Sequence, residues 1–117
     1  MLTIRKEQMA VFSQEEARKF EERMLVHLRK FFPKECEAGG AAQLRETVKH
    51  GLKRAGSYGI TAERDVCKYI DLMIVFGCDF DMDKQYPWAG EILETRNSPA
   101  AKLAVLLEAA KKKLRQA

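Results

Sequence analysis

Apolar side chains recur at three- and four-residue steps in successive segments of this chain, and proline or glycine separates each segment from the next. Such spacing places the apolar residues on one face of an α-helix. The sequence has no alternating run of the kind that indicates a strand. Its 117 residues suffice to bury a core but suit only one domain. The sequence therefore predicts an all-α fold, a single helical domain over residues 1–117 formed by a bundle of about five helices.

The first long helix is marked by Ser13-Gln14-Glu15-Glu16, which has the residues of a capping box. Residues 5–11 precede it as a short helix or a lead-in. Pro33 ends the long helix or begins a short one through Cys36, and Gly39-Gly40 predicts a break. The face predicted to be buried on the first helix holds Phe20, Met24, Leu28 and Phe31. The face predicted on the second holds Ala41, Leu44, Val48, Leu52 and Ala55.

The third long helix is the least polar segment and is predicted to be central in the domain. Gly56-Ser57-Tyr58-Gly59 separates it from the preceding helix, and Thr61 is the predicted N-cap. The helix is expected to run from Ala62 to about Phe76 and to end at Gly77. Its predicted apolar face comprises Val66, Tyr69, Ile70, Met73 and Ile74, widened by Leu72, Val75 and Phe76.

An acidic, aromatic connector follows from Cys78 to Tyr86, and two further helices complete the chain. Pro87 suits the first position of a short helix that reaches Glu94, and Ser98-Pro99 predicts the start of the last helix. The predicted buried stripe of the last helix is Leu103, Leu106, Leu107, Ala110 and Leu114.

Charge is distributed unevenly along the chain, whose net charge is +4. The balance is +4 over residues 1–60, −4 over residues 61–98 and +4 over residues 99–117. Basic residues of the first segment alternate with glutamates, which is typical of a solvated helix face with ion pairs and speaks against nucleic-acid binding. No apolar run approaches the about 20 residues that cross a membrane, and the N-terminus lacks a secretory signal. Three sparse cysteines indicate a reducing compartment, so a cytoplasmic location is expected.

No catalytic, cofactor-binding or metal-binding motif stands out, so we expect a non-enzymatic protein without a cofactor. Asp79, Asp81 and Asp83 resemble the start of a calcium loop, but Lys84 occupies the position of the required glycine. The cysteines and histidines show no paired metal-ligand spacing, and Cys67 is interpreted as a small core residue.

The connector is the predicted partner-binding site, because loops carry function more often than the helices that they join. Its candidate residues are Asp79, Asp81, Asp83 and Tyr86, together with Trp88 at the start of the next helix. On this hypothesis Asp81→Lys weakens partner binding with little loss of fold. The alternative is a structural connector whose aspartates bind nearby backbone and whose aromatic residues Phe80, Tyr86 and Trp88 enter the core.

Five segments carry a resemblance to known proteins, namely Gly59-Ile60-Thr61-Ala62-Glu63-Arg64-Asp65-Val66-Cys67, Tyr69-Ile70-Asp71-Leu72-Met73, Phe76-Gly77, Asp79-Phe80-Asp81 and Pro87-Trp88-Ala89. From Leu2-Thr3-Ile4 to the last helix, and so over most of its length, the chain resembles a group of small helical proteins encoded in bacterial type VI secretion gene clusters. The proteins of that group are encoded beside toxin effectors and their adaptor chaperones. The resemblance implies an accessory, co-chaperone or co-adaptor role, in which this protein binds the adaptor or effector and helps to load the toxin for secretion.

Two other functions fit the same sequence. An immunity protein that neutralises a cognate toxin would use the acidic segment 61–98, because an acidic surface suits a basic nuclease. A small nucleic-acid-binding regulator would use the net basic charge, and its binding would weaken steeply with salt.

Overall fold

The computed structural model describes residues 14–116, which form five α-helices and one 3₁₀ turn. Helices α1 to α5 are Gln14–Phe31, Pro33–Ser57, Glu63–Phe76, Pro87–Leu93 and Pro99–Gln116, and the 3₁₀ turn is Phe80–Met82. Within these residues there is no strand, so the prediction of an all-α fold of about five helices is confirmed. None of the helices in this part of the chain is both long and apolar enough to cross a bilayer.

Local signals in the sequence place most of the helix boundaries. Gly40 has a φ of 78° and kinks α2, which is the predicted break at Gly39-Gly40. The hydroxyl of Ser98 accepts a hydrogen bond from the Ala101 N–H at 3.2 Å, as predicted for the cap of α5. The prediction for Thr61 is wrong, because Ala62 is the N-cap of α3 and makes no side-chain capping bond. The capping box at Ser13 and the lead-in over residues 5–11 lie outside the described residues.

The core is built around α3, which packs against α1, α2 and α5. Val66, Tyr69, Ile70 and Met73 are essentially inaccessible to solvent, so the central position predicted for this helix is confirmed. The other large fully buried side chains are Leu28, Val48, Ile60, Phe80, Leu93, Leu103 and Leu106.

Four residues predicted on buried faces are exposed instead, namely Phe31, Ala41, Val75 and Leu114. Phe31 is 60% exposed because it is the last residue of α1, just before the chain turns into α2, and Leu25 is buried on that helix instead. Leu114 is 52% exposed because the buried stripe of α5 ends at Ala110 and residues 111–115 are all exposed. For these two residues the periodicity continues past the end of the packed interface, whereas Ala41 directly follows the kink at Gly40 and Val75 only widens the predicted face of α3.

Helices α2 and α3 approach so closely that only glycine fits at their crossing. A Cβ atom added at Gly51 would lie 2.5 Å from Ile70 Cγ1 and 2.8 Å from Met73 Sδ. This crossing sets the position of α3, and therefore of the connector that leaves its C-terminal end at Gly77.

Candidate functional site

The connector between α3 and α4 is fastened to the core by Phe80. This ring is fully buried, with its centroid 5.3 Å from that of Tyr69 and 6.3 Å from that of Phe76. On the other side α4 presses against the connector backbone, because a Cβ atom at Gly90 would lie 2.9 Å from the Asp81 carbonyl oxygen. The 3₁₀ turn is therefore held between the end of α3 and the start of α4. The prediction that Phe80 enters the core is confirmed.

Asp81 lies inside the protein, not on the surface where the sequence interpretation placed it. Its carboxylate is fully buried, and Oδ2 accepts a hydrogen bond from the Tyr58 hydroxyl at 2.5 Å. The Arg54 guanidinium lies 3.5 Å from the same oxygen. Burial, followed by the hydrogen bond to Asp81 and the charge of that carboxylate, raises the pKa of Tyr58 well above its ordinary value. Asp81 therefore supports the connector from within, and its replacement by lysine is not expected to spare the fold.

The other two aspartates of the connector are exposed and have partners of their own. Asp79 Oδ1 accepts a hydrogen bond from Arg54 Nη2 at 3.1 Å and lies 3.1 Å from His50 Nε2. Asp83 Oδ1 accepts from the backbone N–H of Gln85 at 2.9 Å, as in an Asx turn. Within the described residues the three carboxylates do not come together as a group, so the calcium-loop pattern does not produce a convergent set of ligands.

Tyr86 and Trp88 form an aromatic cluster with Phe76 at the end of α3. The ring centroid of Phe76 lies 5.0 Å from that of Tyr86 and 5.5 Å from that of Trp88, and both pairs of rings meet edge to face. All three rings are half-buried. One side of the cluster therefore supports the connector while the other reaches solvent.

Sequence reasoning missed a large apolar side chain that this surface exposes. Met82 is 68% exposed, although it lies between the buried Asp81 and the exposed Asp83. Arg54 Nη1 donates a hydrogen bond to its sulfur at 3.0 Å. We call Asp79, Met82, Asp83, Tyr86 and Trp88 together the connector surface. A sequence signal for its support existed, since His50 and Arg54 are one helical turn apart on α2 and can both bond to the Asp79 carboxylate.

A second polar cluster lies between α1 and α3. His27 Nε2 is 2.9 Å from Asp71 Oδ1 and 3.2 Å from Oδ2, and one ligand atom from each of His27, Cys67 and Asp71 lies within 4.8 Å of the other two. Cys67, interpreted from sequence as a core residue, is half-buried. Spacing along the chain could not reveal this cluster, because His27 is 40 residues from Cys67.

The state of the Cys67 thiol argues against nucleophilic catalysis at this cluster. Burial, and to a smaller degree the charge of Asp71, raises the pKa of Cys67 to about 11. A reactive cysteine needs the opposite shift, since the thiolate is the nucleophile. Burial also raises the pKa of Asp71, while the neighbouring His27 acts in the opposite direction.

No protein-family model, curated protein or solved structure matches this chain. The five segments on which the expected resemblance to type VI accessory proteins rests lie in the turn before α3, most of α3 itself, the connector and the first residues of α4.

Proposed function

We propose that this protein is a non-enzymatic protein-binding module of the cytoplasm that acts as a co-adaptor in loading a type VI secretion toxin effector. Its contact with the adaptor chaperone or the effector is the connector surface. One observation carries the proposal: the large apolar side chain of Met82 is exposed on a turn that is fastened to the core, next to the exposed Asp83. The resemblance of the surrounding segments supplies the class of partner.

The geometry of the connector suits protein recognition. Phe80 and Asp81 hold the turn from inside, so little conformational entropy is lost when a partner binds to its outer side. Methionine adapts to irregular apolar surfaces and occurs often at binding sites for varied partners. Tyr86 and Trp88 add aromatic area of the kind that dominates interface energetics.

Charge narrows the kind of partner. The Arg54 guanidinium already offsets the charge of Asp79, whereas the bond of Asp83 is to a backbone N–H and leaves its negative charge unbalanced by that contact. The favoured partner surface therefore has an apolar hollow for Met82 with a basic residue at its rim. Asp81 belongs to the support of this surface and not to the contact.

Co-purification with an adaptor and an effector encoded beside this protein tests the proposal. Met82→Glu should weaken capture of the partner at least tenfold, because it places a charge where an apolar contact is expected. The matched control is Val26→Glu on α1, since Val26 is 65% exposed, close to the 68% of Met82. Equal capture of both variants, or no capture by the unchanged protein, contradicts the proposal. Intact effector delivery after deletion of the gene contradicts the loading role.

The second candidate is an immunity function, because the acidic segment 61–98 suits contact with a basic toxin. Expression of the toxin with and without this protein distinguishes the two functions. Survival restored by this protein alone supports immunity, whereas loss of toxin delivery without loss of protection supports loading.

A further inference from the structure

The geometry points to a binding site for a divalent transition metal of the zinc type, formed by His27 of α1 with Cys67 and Asp71 of α3. We propose this site in addition to the protein-binding function, and it uses no residue of the connector surface.

The three side chains have the arrangement that a metal site between two helices needs. Cys67 and Asp71 are four residues apart on α3 and so share one face, and His27 reaches them from α1. Their ligand atoms lie within 4.8 Å of one another. A tetrahedral zinc ion with bonds of about 2.0–2.3 Å holds its ligand atoms about 3.3–3.8 Å apart. Small side-chain rotations therefore suffice to close the site around an ion.

Among the described residues this is the one group of three or more potential ligands that comes together. All three side chains are half-buried, so they are partly desolvated but reachable from solvent. Both helices are fixed by the core around α3, with Leu28 and Ile70 fully buried beside two of the ligands in the sequence. The site is therefore held by rigid elements rather than by a loop.

The donor set selects the class of metal. A thiolate, an imidazole and a carboxylate together suit zinc, which accepts sulfur, nitrogen and oxygen ligands. Calcium and magnesium take oxygen ligands almost exclusively, so a site with sulfur and nitrogen disfavours them. Three protein ligands leave the fourth tetrahedral position open.

A surface pocket of about 270 Å³ adjoins the cluster and provides access to that open position. His27 and Cys67 line it, together with Arg23 and Glu63, which form an ion pair at its edge. A water molecule or a carboxylate from a bound protein fits the open position. Glu63 is four residues before Cys67 on the same face of α3 and lines this pocket, so its carboxylate is the candidate fourth ligand from this protein.

Titration of the full-length, metal-free protein with cobalt(II), a spectroscopic substitute for zinc, tests the site. We expect saturation at one cobalt per chain, the visible bands of tetrahedral cobalt and a thiolate-to-cobalt charge-transfer band. Zinc should displace the cobalt at one equivalent and should raise the melting temperature, because a ligand that binds only the folded state stabilises it.

Variants assign the ligands and keep the result interpretable. Cys67→Ser should abolish the charge-transfer band, and His27→Gln and Asp71→Asn should each weaken cobalt binding at least tenfold. Cys36→Ser and Cys78→Ser are the matched controls for the thiol and should retain the band. His50→Gln is the control for the other histidine–aspartate pair, His50 with Asp79, and should leave binding unchanged.

Three outcomes would overturn the metal site. These are the absence of saturable cobalt or zinc binding, a charge-transfer band that survives in Cys67→Ser, and loss of binding in His50→Gln alone. Circular dichroism of each variant shows whether it is folded, and the ligands are assigned from the folded variants, of which Asp71→Asn preserves the shape of the side chain. Failure of the co-adaptor proposal leaves this test unaffected, because the two sites share no residue.

Discussion

At the scale of single residues, the three aspartates of the connector differ although they alternate along the same short segment. Asp81 is inside the protein and bonded to Tyr58, Asp79 bonds to His50 and Arg54 at the surface, and Asp83 closes a local turn. The free energy of unfolding that is lost when each charge is removed should therefore depend on the burial and the partners of that aspartate. A hydrogen bond to a buried charged group stabilises the fold more than an exposed ion pair does.

Asp81→Asn should lower the free energy of unfolding by about 1.5–3 kcal/mol, because it removes a charge-assisted bond from a buried site. Asp79→Asn is the matched control and should cost less than about 1 kcal/mol, since Asp79 is exposed. Urea denaturation followed by circular dichroism measures both. Equal losses for the two variants would show that the burial of Asp81 has no energetic role.

Tyr58 should make the stability of the protein sensitive to alkaline pH. Its pKa is raised in the folded state, so the unfolded chain loses the phenolic proton first as the pH rises. The stabilisation is therefore complete below the unfolded pKa of about 10 and is lost progressively above it. Tyr58→Phe should show a shallower decline in stability above about pH 10 than the unchanged protein, as measured by urea midpoints at several pH values. An identical decline in both proteins would contradict this assignment.

At the scale of helices, ion pairs join different elements more often than they run along one face. Lys19 and Glu15 pair within α1 at 3.8 Å, as the interleaved charges predict. Arg23 of α1, however, pairs with Glu63 of α3, and Arg45 of α2 lies 3.4 Å from Glu22 of α1. Each of these exposed ion pairs contributes about 1 kcal/mol or less to the stability of the fold. Their main effect is therefore on which helix faces pack together.

Gly51→Ala should destabilise the protein by about 1–3 kcal/mol, although alanine favours helices more than glycine does. The added methyl group would clash with Ile70 and Met73 where α2 and α3 cross. Gly56→Ala, near the end of the same helix, meets no atom within 4 Å and should be neutral or stabilising by up to about 1 kcal/mol. Thermal unfolding distinguishes the pair, and stabilisation by both would show that the helices can separate without cost.

At the scale of the whole molecule, α3 connects every other long helix through one apolar surface. Ile70 is fully buried in that surface and packs at the crossing with α2. A charged side chain at this position would be buried among apolar residues of the neighbouring helices without a partner for its charge. The single core makes this a global and not a local effect.

Ile70→Asp should abolish the cooperative unfolding transition, because the loss of packing and the buried charge together approach the whole stability of a typical domain, about 5–15 kcal/mol. Val75→Asp lies on the same helix at a position that is 43% exposed and should retain the transition. Circular dichroism during heating measures both variants. A soluble, cooperatively folded Ile70→Asp protein would show that α3 is not the centre of the core.

The sequence alone determined the number of helices, most of their boundaries and the central place of α3. These features depend on interactions within about one turn, such as the glycine at Gly40 or the cap at Ser98, and on apolar spacing that is visible in the chain. It also identified the connector and its aromatic residues. It failed at Phe31 and Leu114, because periodicity does not show where a neighbouring helix stops.

Only the tertiary structure decided which side chains of the connector face the core, and that the apolar side chain of Met82 is exposed. It also brought His27 next to Cys67 and Asp71, from a helix on the far side of α2 in the sequence. The physical reason is the same in both cases. Local rules assign a conformation to each segment, but contacts between residues tens of positions apart follow from how whole helix faces pack, and that packing is a property of the complete core.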